Sequence, residues 1–166
     1  MALTQSDFNA LVRDHGPALY RIAFRMVGDR HEAEDVVQDA FRSAWKSRKH
    51  FQEGRGDRAW LASILRRRVI DRWRKHPAPR TVASDSALDV SVAGDDPLAG
   101  EYTDEMQQAL ARLPAELRET LLLVVVGELT HQEVSTMLEV PLGTVLSRVS
   151  RARKRLREFL LETTKK

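Results

Sequence analysis

Between residues 78 and 100 the chain reads APRTVASDSALDVSVAGDDPLAG, rich in Ala, Ser, Asp, Pro and Gly and without an aromatic. Apolar side chains this sparse do not offset the entropy lost on ordering the backbone, so 78–102 is expected to be a flexible linker. That stretch constrains the fold more than any other feature. It leaves two pieces, 1–77 and 103–166, each with only a small core to bury. The linker is also acidic: Arg80 stands against Asp85, Asp89, Asp95, Asp96 and Glu101. On either side the charge reverses. Arg66, Arg67, Arg68, Arg72, Arg74 and Lys75 fall within ten positions, interrupted by Asp71 alone, and Arg148, Arg151, Arg153, Lys154, Arg155 and Arg157 fall within another ten with no acid. Two basic helices joined by an acidic strip fit a polyanion binder with two contact points. The alternative is that each run is merely a solvated helix face.

Both pieces carry helical periodicity and no convincing alternation of a strand. Leu11, Ala18, Leu19, Ile22, Ala23 and Met26 recur at three- and four-residue steps, broken at Gly16-Pro17, where a helix is expected to end or kink. Asp29 and Glu32 read as a capping box for a helix through Ala33, Val36, Val37, Ala40, Phe41 and Trp45. A polar loop bearing Phe51 follows. Asp57 is then placed to cap a helix with Trp60, Leu61, Ile64, Ile70 and Trp73 as its stripe, stopped by His76-Pro77 and Pro79. In the second piece Thr103 caps a helix through Met106, Ala109 and Leu110. Pro114 fits the first turn of the next, which runs through Leu117, Leu121, Leu122 and Val125 to Gly127. Thr130 and Glu133 form another capping box before Val134, Met137 and Leu138. A tight turn at Glu139-Val140-Pro141 opens a long helix striped by Val145, Val149, Ala152, Leu156 and Phe159. The fold class is therefore all-α, two small helical domains joined by a flexible linker.

Several function classes fall away. With no cysteine there is no disulfide scaffold, cysteine zinc site or thiol chemistry. The longest apolar run, 121–126, is far short of the roughly 20 residues of a membrane span. The opening MALTQSDF lacks the basic flank and apolar core of a secretory signal, so an intracellular protein is expected. His15, His31, His50, His76 and His131 are scattered with no ligand spacing, so no metal, cofactor or small-molecule substrate is expected, and no enzyme.

A short capped helix, a tight turn and a long basic helix make a helix-turn-helix unit, whose second helix enters the major groove. With Val145, Val149 and Ala152 inward, Thr144, Ser147, Arg148 and Arg151 point outward or flank the groove. Arginine there suits guanine, Ser and Thr suit bases or phosphates, and Lys154, Arg155 and Arg157 suit phosphates.

The segments DRHEAEDVVQDAFRSAW and RAWLASILRRRVIDRWRK resemble the second conserved region of bacterial sigma factors. The segment ALARLPAELRETLLLVVVGELTHQEVSTMLEVPLGTVLSRVSRARKRL is similar to their fourth. The likeness is to the extracytoplasmic-function subfamily of the sigma-70 family, which keeps these two regions and a linker, and it spans about residues 7–77 and 103–161. It implies an alternative sigma factor in the bacterial cytoplasm, with core RNA polymerase and promoter DNA as partners. It also implies an anti-sigma factor, in this family often a membrane protein. A stand-alone helix-turn-helix regulator is the competing reading.

Carried over by motif position, the resemblance implies polymerase docking by Asp35, Gln38, Asp39, Phe41 and Trp45, although Phe41 and Trp45 also fit a core. The acidic start of that helix (Glu32, Glu34, Asp35, Asp39) suits a protein partner better than DNA. Minus-ten recognition would fall to Lys49, His50, Phe51, Arg55, Arg58, Arg66, Arg67 and Arg72, with Phe51 either touching a base or anchoring the loop on the core. Asp71 and Arg74, three apart, are expected to pair. Minus-thirty-five recognition would fall to Thr144, Ser147, Arg148, Ser150, Arg151 and Lys154. One position departs from the family: Leu146 stands where Lys or Arg is usual. A leucine neutralises no phosphate, but it suits a thymine methyl.

Overall fold

A computed structural model describes residues 3–51, 56–75 and 104–164, and every regular element among them is helical. The first domain holds α1 (Gln5–Val27), α2 (Arg30–Lys46), a short 3-10 turn (Arg48–His50) and α3 (Asp57–Lys75). The second holds α4 (Asp104–Arg112), α5 (Ala115–Val125), α6 (His131–Leu138) and α7 (Leu142–Thr164). The expected linker, 78–102, and the expected cap Thr103 lie outside the described residues.

The helix starts follow their capping chemistry. Thr4 and Asp7 bond reciprocally to open α1, Asp29 accepts the Glu32 N–H at 2.9 Å to open α2, and Thr130 and Glu133 close a full box on α6. Two expected caps shift by a residue. Gly56, at φ 80°, precedes α3 and its carbonyl receives the Trp60 N–H, so Asp57 sits inside the first turn. Pro114 is the cap of α5 rather than its first helical residue. The expected break at Gly16-Pro17 does not occur, and α1 runs unbroken through Pro17. Both Pro17 and Arg13 are exposed, so the carbonyl that loses its helical donor faces water instead of the core.

Each domain buries most of the stripe its periodicity predicts, but Val125, at the end of α5, is exposed at 39%, and α3 is rotated from its expected face. Leu61, Ala62, Ile64, Leu65 and Val69 are buried there, while Trp60, Ile70 and Trp73 are only half covered. The two cores do not stay separate. Buried residues form one cluster running from Phe8 and Leu19 through Leu65 to Leu122 and Val145. α1 packs on α5 and α4, and α3 on α6. The two cores approach tightly at Gly127: a Cβ added there would lie 2.9 Å from Ile22 Cδ1 and 2.7 Å from the Leu123 carbonyl. Beside it the buried Arg25 donates through Nη1 to Gln107 Oε1 (3.1 Å), and Gln107 Nε2 donates back to the Arg25 carbonyl (3.3 Å). Gly127→Ala overpacks this point and should cost roughly 1–3 kcal/mol, read as a lower urea midpoint of the full chain.

Candidate nucleic-acid interface

The helix-turn-helix is held by its turn. Ser135, buried on α6, donates its hydroxyl to the Val140 carbonyl (2.6 Å) and accepts the Val140 N–H at its own carbonyl (3.2 Å). Glu139 takes the left-handed conformation at φ 56°, a site that glycine usually fills, and Pro141 follows to stop the helix. Val145, Val149 and Ala152 then face inward, fixing the rotation of α7. Of the six residues assigned to minus-thirty-five reading, Ser147, Ser150, Arg151 and Lys154 are exposed and Thr144 is half-buried. Arg148 differs. Its side chain is only 17% exposed and reaches Glu116, in the first turn of α5, at 3.7 Å.

The minus-ten set is dispersed. Lys49 and His50 are exposed on the 3-10 turn, Arg67 is exposed on α3, and Arg55 lies outside the described residues. Phe51 is buried, edge-on to Trp60 with ring centroids 5.1 Å apart. The anchoring alternative is therefore the one adopted, and Phe51 offers no free face to a base in this arrangement. Arg72 lies 3.6 Å from Asp35 of α2, joining a residue of the DNA set to one of the polymerase set. Asp71 pairs with Arg68 at 3.9 Å rather than with Arg74, so the expected i,i+3 pair forms in the opposite direction.

Arg58 and Arg66 meet the other domain. Arg66 forms an ion pair with Glu119 of α5, whose side chain is 17% exposed, and Arg58 donates through Nη1 to Glu128 after α5 (2.9 Å). The Arg118 guanidinium, buried on α5, sits 5.6 Å from the centre of the Trp73 ring. Partial burial and the like charge of Arg67 lower the Arg66 pKa, while Glu139 acts the other way. Sequence reasoning missed Glu116, Glu119, Glu128, Gln107 and Arg118. Their spacing is ordinary for helix surfaces, and nothing local marks them as facing another domain.

On α2, Asp35 and Gln38 are exposed and Asp39 pairs with Arg42 at 3.1 Å. Phe41 and Trp45 lie edge-on to Phe8 at 6.3 and 5.1 Å, and the Arg48 guanidinium sits 4.1 Å from the centre of the Trp45 ring. Both rings thus pin α2 to α1, which is the core alternative. Among the described residues no group of three or more His, Asp or Glu is placed to hold a metal, and no helix is long and apolar enough to cross a membrane.

Two family models match: Sigma-70 region 2 over residues 11–77 and Sigma-70, region 4 over residues 103–156. The chain is 34% identical over 160 residues to the ECF RNA polymerase sigma factor SigE of Mycolicibacterium smegmatis, covering 93% of this chain and 62% of that protein. It is 31% identical over 174 residues to the ECF RNA polymerase sigma factor SigW of Bacillus subtilis, covering 94% of this chain and 90% of that one. Among solved structures it matches the sigma factor RpoE of Bartonella quintana in complex with the anti-sigma factor NepR. The TM-score is 0.74 at 28% identity, over 93% of this chain and 96% of that one. It also matches CnrH in complex with the cytosolic domain of CnrY, with a TM-score of 0.72 at 26% identity, over 95% and 89%.

Arg58, which reaches Glu128 of the second domain, also makes a protonation-dependent contact inside the first. Arg58 Nε donates to His15 Nδ1 (3.4 Å), which requires a neutral imidazole. Burial first and Arg58 second lower the His15 pKa from 6.5, against the opposing pull of Asp57 and Asp14. A histidine with a depressed pKa contributes stability that is present above its unfolded pKa and lost as pH falls through the folded one. Thermal midpoints should therefore drop on acidification from about pH 7.5 to about pH 5.5, and His15→Gln should flatten part of that drop.

Proposed function

The chain belongs to the extracytoplasmic-function subfamily of sigma-70 RNA polymerase sigma factors, and from that premise we propose how it divides the work of promoter selection between its two domains. As an alternative sigma factor it binds core RNA polymerase and directs initiation at promoters with minus-thirty-five and minus-ten elements. In this reading it acts in the bacterial cytoplasm and performs no catalysis itself. The observation that carries the proposal is the outward row of Ser147, Ser150, Arg151 and Lys154 on a helix whose inner row is locked by Val145, Val149 and Ala152. A rigid helix-turn-helix with such a face suits the major groove of duplex DNA. Arg151 suits base edges, and Lys154 suits phosphate. Asp35 and Gln38, exposed on the acidic side of α2, are the docking contacts for polymerase. Lys49, His50 and Arg67 form the part of the minus-ten track that is open in this arrangement. No relative or fold match supports the stand-alone regulator.

The function is tested by run-off transcription with bacterial core polymerase on a pool of upstream sequences, with and without the protein. Transcripts that depend on the protein and share two spaced elements are the expected result. Arg151→Ala should weaken duplex binding about tenfold and relax specificity at the base it reads. A double change of Asp35 and Gln38 to Ala should weaken polymerase binding and leave duplex binding unchanged. If both variants strike the same activity, the division of labour is wrong.

Arg58 and Arg66 belong to the minus-ten track, yet Glu128 and Glu119 occupy them. Of the two solved structures named above, RpoE is in complex with the anti-sigma factor NepR and CnrH with the cytosolic domain of CnrY, and an anti-sigma factor is the partner we assign to this closed form. Promoter loading then requires the domains to part, exchanging two carboxylates for DNA phosphates. Exposed and half-exposed ion pairs are each worth about 0.2–1 kcal/mol. Changing Glu119 and Glu128 together to Gln should raise the affinity of the full chain for single-stranded minus-ten DNA about fivefold. The same charge change at the exposed Glu105 and Glu158 should give less.

A further inference from the structure

Four large hydrophobic side chains stand out as exposed among the described residues: Val125, Leu142, Leu146 and Leu161. Two of them, Leu142 at 41% and Leu146 at 49%, lie four apart on the first two turns of α7. At that spacing they share one ridge of the helix, and Ser150 continues it. Lys154 extends the same ridge, and the adjoining one carries Gly143, Ser147 and Arg151, so the leucines lie within and beside the row proposed to face DNA. Core packing does not explain them. The inner face of the helix is already complete in Val145, Val149 and Ala152. At Gly143, between the two leucines, an added Cβ would meet no atom within 4 Å, so the backbone there is open to close approach. The first turn of α7 holds no acid that would repel a polyanion.

We propose that Leu142 and Leu146 are specificity residues that pack on thymine C5 methyls in the major groove of the minus-thirty-five element. The inference rests on the sigma-factor reading above and deepens it. The occupant follows from the surroundings. The strip is continuous with a cationic, hydroxyl-bearing face, which matches a surface that is anionic at its rim and apolar only at scattered methyl groups. The thymine methyl is the apolar group that duplex DNA displays in the major groove, and the minor groove shows no equivalent. Leu146 therefore trades a phosphate or guanine contact for base selectivity. Affinity at this position comes from an A·T pair with its thymine on the strand facing α7, and a G·C pair there leaves the leucines against polar edges.

The test uses core polymerase loaded with the full chain. Preferred duplexes are first selected from a pool randomised upstream. Each thymine of the selected minus-thirty-five element is then replaced singly, on either strand, by deoxyuridine, which removes only the methyl group and alters no residue of the protein. At one or two positions affinity should fall about fourfold, the factor set by burial of one methyl-sized group. At those positions Leu146→Ala holoenzyme should be indifferent to the replacement, and Leu142→Ala should reduce the response. Leu146→Arg should shift the selected base at the same position away from thymine. The proposal is overturned if sequences are selected but no thymine responds to loss of its methyl. It is equally overturned if the response survives in both alanine variants, the outcome expected were the strip a protein-docking surface. Either result leaves the sigma-factor reading standing. Selection of no sequence at all would remove that reading, and this inference with it.

Discussion

The close approach of α1 to α5 is the contact on which the arrangement of the two domains depends. Ile22 reaches the chain at Gly127 because that position has no side chain, and the reciprocal Arg25–Gln107 bonds seal the adjacent end of the seam. A buried arginine is tolerable only where hydrogen-bonding partners replace water, so this contact has one acceptable geometry. Three further contacts follow from it along the same seam. Arg58 meets Glu128, Arg66 meets Glu119, and Trp73 lies beside the Arg118 guanidinium. Each domain alone is small, and merging the two cores increases the fraction of apolar surface removed from water.

That economy has a functional side. Residues suited to DNA phosphates are by their chemistry suited to carboxylates, so a second domain carrying Glu119 and Glu128 can occupy the same cations. The pairs are not deeply buried, with Arg58 and Arg66 remaining 29% and 27% exposed, and their strength is accordingly modest. A seam closed by partly buried ion pairs and a tight apolar contact suits the parting of the domains proposed above. The recognition helix is treated differently. α7 keeps Ser147, Ser150, Arg151 and Lys154 in solvent, and only Arg148 is drawn toward a neighbouring acid.

Much of the site is legible in the amino-acid sequence. The Thr130–Glu133 box, the Glu139-Val140-Pro141 turn and the stripe from Val145 to Phe159 fall where capping, turn chemistry and helical period put them, since each rests on local rules. Local rules also mislead. Pro17 reads as a break, but its position on the exposed side of α1 lets water take the orphaned carbonyl. Phe51 reads equally as a base contact or an anchor, and only the position of Trp60 decides for the anchor. For Phe41 and Trp45 the deciding neighbour is Phe8, more than thirty residues earlier in the chain.

By itself the sequence determined the helices, their caps, the inward face of each and the two basic runs, since all of these follow from contacts within a turn or two of the backbone. The family, too, was written in short ordered motifs. Only the tertiary structure decided which cations are open and which are occupied. Arg66 and Arg67 are neighbours of identical chemistry, yet one is paired across the seam and the other stands in solvent. The 100° step between adjacent helical residues turns one toward α5 and the other away. Whether anything waits on the first side depends on Glu119, fifty-three residues distant, which no local pattern reports.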